Sequence, residues 1–226
     1  SGKVPVIAPV DFMDFTVSEN VYAGNAMNRR LFYQYGLLLP AAPHGFVGQG
    51  LGQAVSAGAA GLIAPTRLVR EPIETFEVDG VEMVFHNTPD TEAPREMNTY
   101  IPAMKALWMA ENVTATLHNI YTLRGAQVRD PLAWSKYIAD ALYRFGIEAE
   151  VMFASHHWPR WGNERIQEVL RGQRDLYANM NNQVLHLANQ GVTINQIHNV
   201  YEVPKGLREK WECRGYHGSP EHNARG

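Results

Sequence analysis

The spacing of apolar residues changes near Gly162, and this change constrains the fold more than any other feature of the sequence. Upstream of it, short runs of alternating apolar and polar residues are separated by turn-forming residues, which is typical of strands. Downstream, residues 163–189 and 193–200 have helical spacing. The sequence therefore predicts an α/β part over residues 1–162 and a mostly helical part over residues 163–226.

The first part contains patterns of both kinds of secondary structure. Residues 66–88 favour two strands, joined by a tight hairpin turn at Asp79-Gly80. Residues 17–36 and 133–145 have the apolar spacing of amphipathic helices. Residues 37–65 are rich in Gly, Ala and Pro, which predicts a long irregular loop, and loops of that length are usually functional or disordered.

Charge and composition exclude several classes of protein. The net charge of −3 and the pI near 6.3 argue against a nucleic-acid-binding surface, which normally carries a basic excess. The single cysteine, Cys213, excludes an internal disulfide framework and a cysteine-rich zinc site. No run of apolar residues is long enough to predict a membrane span. The first residues lack the basic-then-apolar order of a signal peptide, which leaves the compartment open between periplasm or exterior and cytoplasm.

Metal-competent side chains follow three of the predicted strands. Glu92 comes after VEMVFHN, Glu111 after KALWMA, and His156 after VMFA. Carboxylate oxygens and imidazole nitrogens are suitable ligands for zinc and related divalent ions. Taken singly, a glutamate in a turn is usually solvent-facing and a lone histidine is usually structural. Glu111 directly follows an apolar run, however, where a carboxylate needs a partner or a metal.

A second polar cluster occupies residues 118–131, HNIYTLRGAQVRDP. The guanidinium of Arg124 can donate to two oxygens of a sulfate, phosphate or carboxylate, and the amide of Asn119 adds a neutral donor. The alternative is a surface arginine paired with Asp130 or Glu111. The segment is therefore a candidate oxyanion site.

Four segments, in this order, carry a resemblance to a known family: TEAPREM, LWMAEN, LHNIYTLRGAQVRDPLAWSKYI and FASHHWPRWG. They resemble the alkyl sulfatases of the metallo-β-lactamase superfamily, which hydrolyse alkyl sulfate esters such as detergent sulfates. The resemblance implies that residues 1–162 form part of a metallo-β-lactamase αββα sandwich. It also implies that residues 163–226 form part of the helical region through which the family makes homodimers.

The resemblance implies a site with two zinc ions. Family ligands map onto Glu92, onto Glu111 as the carboxylate that bridges both ions, and onto His156 on the second ion. The family's sulfate-binding segment maps onto six consecutive residues, of which the first and last are the expected direct contacts: Asn119, Ile120, Tyr121, Thr122, Leu123 and Arg124. Tyr35 and Gly52 are expected to border the sulfate pocket, and His222 to lie near the leaving group as a catalytic residue.

The sequence also departs from the family pattern. Four zinc ligands of the family come from an upstream His-x-His-x-Asp-His motif, which does not occur in residues 1–226. We therefore expect a truncated chain that is inactive, or nearly so, by itself. His217 stands where relatives often have tyrosine, which leaves the role of that position open. Two other hypotheses remain: a module whose function is self-association, and a related metallohydrolase that acts on another ester.

Overall fold

The fold is mixed α/β, with most strands before residue 162 and helices dominating the chain after it. The computed structural model describes residues 4–48, 58–59 and 61–226. In chain order, the helices and strands are β1 (Ile7–Pro9), α1 (Phe12–Val17), α2 (Gly24–Gln34), β2 (Arg67–Val69), β3 (Ile73–Val78), β4 (Val81–Asn87), β5 (Met97–Ile101), β6 (Ala106–Trp108), β7 (Leu117–His118), α3 (Pro131–Ala141), β8 (Val151–Phe153), β9 (Arg160–Trp161), α4 (Asn163–Asn189), α5 (Ile194–Val200), α6 (Lys205–Arg208), β10 (Gly215–His217) and α7 (Pro220–Asn223).

Six strands form one sheet, in the spatial order β3-β4-β5-β6-β8-β9. The β3-β4 hairpin turns at Asp79 and Gly80, whose φ angles are 52° and 77°. Positive φ at both central residues is what a tight hairpin with two-residue loop requires, so the predicted hairpin is confirmed. Two smaller parallel pairs, β1 with β2 and β7 with β10, lie outside this sheet.

Strand direction explains why three separate segments meet. β6 and β8 pair in parallel, and β4 and β6 are both antiparallel to β5, so β4, β6 and β8 all run in the same direction. Their carboxyl ends therefore lie at the same edge of the sheet. The segments that leave this edge carry Glu92, Glu111 and His156.

Helices α3 and α4 pack against each other and bury the main hydrophobic core. The indole of Trp134 stacks on the phenol ring of Tyr177, with 4.5 Å between the ring centroids. Asp130 caps the start of α3 by accepting hydrogen bonds from two backbone N–H groups at 2.8 and 2.9 Å. The core holds Ile138 from α3 and Leu170 from α4. It is thus continuous across position 162, just before α4 begins, and the division into two regions stays a prediction.

The predicted order of an α/β part followed by a mostly helical part is confirmed. The helix predicted over residues 17–36 is divided by a π-helical turn, Ser18–Tyr22, which lies between α1 and α2. The side chain of Asn20 donates to the carbonyl of Thr16 at 3.1 Å, and such local bonds compete with regular helical pairing. The long loop after α2 contains no helix or strand in its described residues. Among the helices of the described region, none has the length and apolarity needed to cross a membrane.

Candidate metal centre and neighbouring oxyanion segment

Glu111, His118 and His156 converge at the edge of the sheet. One potential ligand atom from each residue lies within 4.8 Å of the others. Glu111 follows β6, His156 follows β8, and His118 ends β7. The imidazole of His156 also contacts the carboxylate of Glu111 directly. Two of the three predicted ligands are therefore adjacent, and the third member of the cluster is a histidine that the sequence analysis did not single out.

The backbone is strained beside each of the predicted ligands. Asp90, Ala110 and His157 have φ angles of 62°, 47° and 69°, in the left-handed region that non-glycine residues rarely adopt. They lie within two residues of Glu92, Glu111 and His156, respectively. Strained backbone of this kind costs on the order of 1–3 kcal/mol and concentrates at functional sites.

Asn112 holds the loop that carries Glu111. Its amide donates to the hydroxyl of Thr88 and to the side-chain oxygen of Asn98, both at 2.9 Å. Its backbone carbonyl accepts a hydrogen bond from the indole of Trp134 at 2.7 Å. Because all four of these residues are buried, the position of Glu111 is fixed by the polar interior and not by solvent.

Three carboxyl groups share this part of the structure. Burial raises the pKa of Glu92 to about 8, with Arg129 opposing the shift and Glu111 adding to it. Burial likewise raises the pKa of Glu96 to about 7. Burial would also raise the pKa of Glu111, but the hydrogen bond from His156 and the proximity of His118 outweigh it and lower this pKa to about 2. Crowded carboxyl groups of this kind favour a bound cation.

His118 and His217 complete the cluster. Burial, followed by the charge of Arg129, lowers the pKa of His118 to about 3, so its ring is neutral at pH 7. Burial lowers the pKa of His217 to about 4. The ring centroid of His217 lies 4.6 Å from that of His118 and 5.6 Å from that of His156. A neutral imidazole is the form that binds a metal.

His217 reaches the site through the pairing of β10 with β7, in which His217 lies opposite His118. These strands are short and far apart in the sequence, and neither has a periodicity that predicts it. The presence of histidine in LHN was the one feature that could have drawn attention to His118.

Arg129 connects the metal-competent cluster to the oxyanion segment. Its guanidinium is buried and contacts the carboxylate of Glu92 as well as the side-chain oxygen of Asn119. It also donates to the carbonyl of Asn119 at 2.8 Å. Arg129 could not be identified from the sequence, because the sequence does not distinguish a buried arginine from an exposed one.

The two expected sulfate contacts have partners within the chain. The amide of Asn119 donates to the carbonyl of His217 at 3.0 Å. The guanidinium of Arg124 donates to the carboxylate of Glu19 at 2.6 Å. The pairing of Arg124 with Asp130 or Glu111, which the sequence left open, does not occur; its partner comes from the turn between α1 and α2.

Buried residues between these two contacts are held by hydrogen bonds within the chain. The backbone N–H of Ile120 donates to the side chain of Asn223 at 3.0 Å. The hydroxyl of Thr122 accepts from the backbone N–H of Ala126 at 3.2 Å. Leu123 is exposed. The segment is therefore anchored at its buried residues and open at its tip.

Two of the remaining predicted site residues, His222 and Tyr35, lie around this segment. The ring of His222 stacks on that of Tyr121 with 4.1 Å between centroids, and no contact of His222 with the metal-competent cluster occurs among the described residues. Tyr35 is half-buried at the end of α2, next to Gln34, whose side chain accepts from the backbone N–H of Arg124 at 2.8 Å. Gly52 lies outside the described residues.

An open cleft of about 1260 Å³ lies beside His156. Its walls come from the loop after β8, from α4 and from the segment that precedes β10. Both basic and aromatic side chains line it, among them Trp158, Arg160, Lys210 and Tyr216. The cluster is thus accessible from one side.

The donor set of the cluster fits a divalent metal. It offers one carboxylate and two imidazoles, a combination of ligands found in catalytic zinc sites. Glu92 lies next to this set and is paired with Arg129.

Comparison with known proteins identifies relatives along the whole chain. A family model described as "Alkyl sulfatase dimerisation" matches residues 193–226. A linear primary-alkylsulfatase of Pseudomonas sp. is 48% identical over 225 residues, which is 100% of this chain and 33% of the relative. An alkyl/aryl-sulfatase of Saccharomyces cerevisiae is 47% identical, again over 100% of this chain and over 35% of the relative. This chain therefore spans about a third of the length of these curated relatives.

A solved structure agrees with the sequence comparison. The stereoselective inverting sec-alkylsulfatase Pisa1 from Pseudomonas sp. superposes with a TM-score of 0.95 at 42% identity, over 99% of this chain and 36% of that protein. The same architecture at this level of identity confirms the resemblance that the four sequence segments predicted. From end to end, this chain is similar in sequence and architecture to alkylsulfatases.

Proposed function

We propose that this chain contributes part of the active site of an enzyme that hydrolyses alkyl sulfate esters to an alcohol and inorganic sulfate. The observation that carries the proposal is the convergence of Glu92, Glu111 and His156 from three strands at one edge of the sheet, next to the segment that contains Asn119 and Arg124. The curated homologues are alkylsulfatases. In the complete site, these three residues would help to hold a pair of zinc ions.

The residues of the chain would bind and orient the sulfate group. A bound zinc ion supplies Lewis acidity and lowers the pKa of a coordinated water to roughly 7. Arg124 would exchange the carboxylate of Glu19 for the sulfate, and the amide of Asn119 would add a neutral donor. Donors fixed in place where negative charge grows on the departing sulfate stabilise the transition state.

On this proposal, residues 1–226 would supply three of the seven zinc ligands that the family resemblance implies, so we expect little or no turnover by this chain alone. The test is sulfate release from dodecyl sulfate by purified residues 1–226. Robust turnover would contradict the expectation that the upstream histidine motif is required.

A chimera tests whether the residues of this chain support the reaction. Residues 1–226 would replace the matching third of the Pseudomonas linear primary-alkylsulfatase, to which they are 48% identical. We expect the chimera to release sulfate from dodecyl sulfate, and Glu111→Gln to abolish that release. Glu150→Gln, which removes an exposed carboxylate paired with Lys105, is the matched control. A folded, metal-loaded chimera that cleaves phosphate esters but not alkyl sulfates would instead favour a hydrolase of another ester.

We also propose that the helical part mediates homodimer formation, and the support is the dimerisation family match at residues 193–226. Ile194, at the start of α5, is 62% exposed, which is unfavourable for a large apolar side chain in a monomer. A dilution series followed by light scattering tests this proposal. Ile194→Lys should weaken the dimer, whereas Ile147→Lys, at a 53% exposed isoleucine outside the helical part, should not. A chain that is monomeric at every concentration would contradict it.

A further inference from the structure

We propose that His86, oriented by Asp140, is a positioning residue for the two loops that carry Glu92 and Glu111. It would act through a buried chain of hydrogen bonds in which every donor faces an acceptor. The inference rests on the proposed function, since the chain ends at residues that would hold the metal there. Among the described residues, the side-chain hydrogen-bond partners of His86 are Asp140 and Asn98, so its action on the site is indirect.

The direction of the chain is set at Asp140, near the end of α3. A carboxylate only accepts hydrogen bonds, and Oδ2 of Asp140 lies 3.1 Å from Nε2 of His86. Nε2 therefore carries the hydrogen. Burial lowers the pKa of His86 to about 4, so the ring is neutral at pH 7 and Nδ1 is a bare acceptor. The carboxylate is itself held in place by Nε of Arg144, at 2.7 Å.

The next links are the side-chain amides of two buried asparagines. Asn98 lies opposite His86 where β5 pairs with β4, and its Nδ2 lies 3.5 Å from Nδ1 of His86. Because that nitrogen faces the ring, Oδ1 of Asn98 is free to accept from Nδ2 of Asn112, at 2.9 Å. Oδ1 of Asn112 in turn accepts from the backbone N–H of Glu92, at 3.5 Å. All four hydrogen bonds therefore point the same way, from Glu92 to Asp140.

Burial makes the orientation of these groups decisive. His86 and Asn112 are each 1% exposed, and Asn98 is fully buried. Reversing either amide would set donor against donor or acceptor against acceptor, and unpaired polar atoms are costly where water cannot replace the partner. Asn112 directly follows Glu111 in the sequence. The chain of hydrogen bonds thus holds the residue beside Glu111 and the backbone of Glu92 in one fixed arrangement.

The alternative is that His86 only fills space in the core. Its ring packs against those of Tyr137 and Phe145, with centroids 5.7 and 6.0 Å away. Two substitutions separate the roles. His86→Phe keeps a ring but removes both nitrogens, whereas His86→Asn fills less space but places an oxygen near the position of Nδ1. Packing alone therefore favours Phe over Asn, and the hydrogen-bond chain favours Asn over Phe.

Sulfate release from dodecyl sulfate tests this in the chimera, in which residues 1–226 replace the matching third of the Pseudomonas alkylsulfatase. With Zn²⁺ in excess, His86→Phe should lower kcat by about 10-fold, the lower end of the effect of losing an outer-shell partner. KM should not change, since Asn119 and Arg124 would still bind the sulfate. His86→Asn should recover most of the lost kcat. Ile138→Ala is the control: it removes a fully buried side chain of α3 that is no link of the chain, so it should lower the unfolding midpoint but not kcat.

Three results would overturn the proposal: an unchanged kcat in His86→Phe, an equal loss in His86→Asn, or an equal loss in Ile138→Ala. If His86→Phe does not fold by circular dichroism, Asp140→Ala replaces it, because it removes the acceptor that holds the hydrogen on Nε2. Asp140→Asn, which keeps an oxygen for that hydrogen, is then the control and should retain more of the kcat.

A folded but inactive unsubstituted chimera would count against the proposed function instead. NMR of the imidazole nitrogens of His86 in residues 1–226 then decides the inference without any measurement of activity. Hydrogen on Nε2 and a bare Nδ1 at pH 7 would support the chain of hydrogen bonds. Hydrogen on Nδ1 would overturn it, because two donors would then face each other between His86 and Asn98.

Discussion

The guanidinium of Arg124 donates to the carboxylate of Glu19 at 2.6 Å, although the two residues are 105 positions apart. The surrounding backbone is tied to the same region, since the carbonyl of Arg124 accepts from Arg30 at 2.7 Å and its N–H donates to Gln34 at 2.8 Å. The oxyanion segment is thus docked on the helices that precede it. A sulfate that binds Arg124 must compete with a carboxylate already in place.

Glu19→Gln should increase the affinity of the chain for inorganic sulfate by up to about fivefold. A partly exposed ion pair contributes at most about 1 kcal/mol. In the variant, the sulfate no longer has to compete with this ion pair for Arg124, and about 1 kcal/mol corresponds to about fivefold in affinity. Glu82→Gln removes the same charge from an exposed position in β4 and serves as the control. Sulfate titration by calorimetry measures both, and equal affinities in the two variants would contradict a role for Arg124 in sulfate binding.

Arg129→Met should lower the free energy of unfolding by about 1–3 kcal/mol, since it leaves buried hydrogen-bond acceptors without their donor. The substitution leaves the carboxyl group of Glu92 and the side-chain oxygen of Asn119 buried without this partner. Arg95→Met is the control: Arg95 pairs with Asp11 at 3.1 Å with both side chains partly exposed, so its loss should cost less than about 1 kcal/mol. Urea unfolding measures the free energy of unfolding of both variants. Equal losses would show that the buried contact of Arg129 with Glu92 stabilises the chain no more than the pair of Arg95 with Asp11.

The fold could be predicted from this sequence wherever local pattern decided it. The Asp79-Gly80 hairpin and the long α4 have unambiguous spacing, and Thr193 caps α5 in a capping box with Gln196, as N-cap chemistry suggests. The interruption between α1 and α2 could not be predicted, because Asn20 bonds to Thr16 within a stretch whose apolar spacing stays helical.

The candidate site could be predicted only in part. Glu111 and His156 follow β6 and β8, which pair in parallel. Their positions directly after predicted strands therefore indicated that they belong to a site. His217 and Arg129 were not predictable from spacing. His217 depends on a pairing between two short strands 98 residues apart, and Arg129 depends on burial against Glu92. Both are long-range tertiary effects that leave no mark on local periodicity.

The metal-free chain should lose stability between about pH 7 and pH 8. Because the pKa of Glu92 is raised from 4.5 to about 8, the folded chain keeps a proton that the unfolded chain has already released. Stability therefore falls as pH rises toward the folded pKa. Glu96, whose pKa is raised to about 7, contributes a loss of the same sign that is mostly complete by pH 7. The buried histidines His86, His118 and His217 have lowered pKa values, so their contribution to stability increases with pH up to about 6.5. The loss that comes from Glu92 is therefore clearest above pH 7.

Thermal unfolding with a chelator present, at pH 7 and at pH 8.5, measures this loss. Glu92→Gln should remove most of the pH dependence, whereas Glu82→Gln should keep it. If the stability of Glu92→Gln still falls between pH 7 and pH 8.5 as much as that of the unsubstituted chain, a group other than Glu92 holds the proton. Excess Zn²⁺ should reverse the slope, because the metal replaces the proton among the carboxyl groups and binds more tightly as pH rises.

His157→Gly should stabilise the chain by about 1 kcal/mol. His157 has φ of 69°, a conformation that costs an L-residue roughly 1–2 kcal/mol and costs glycine nothing; the greater freedom of glycine in the unfolded chain offsets part of the gain. The side chain is exposed, so little packing is lost. His186→Gly is the control, because His186 is an exposed residue inside α4, where glycine destabilises by about 1 kcal/mol or less relative to the residue it replaces. The two histidine-to-glycine changes should therefore shift the unfolding midpoint in opposite directions. If both changes lower the unfolding midpoint, contacts of the His157 side chain compensate for the strain in its backbone. The strain at His157 would then not be a net cost of placing His156 beside Glu111.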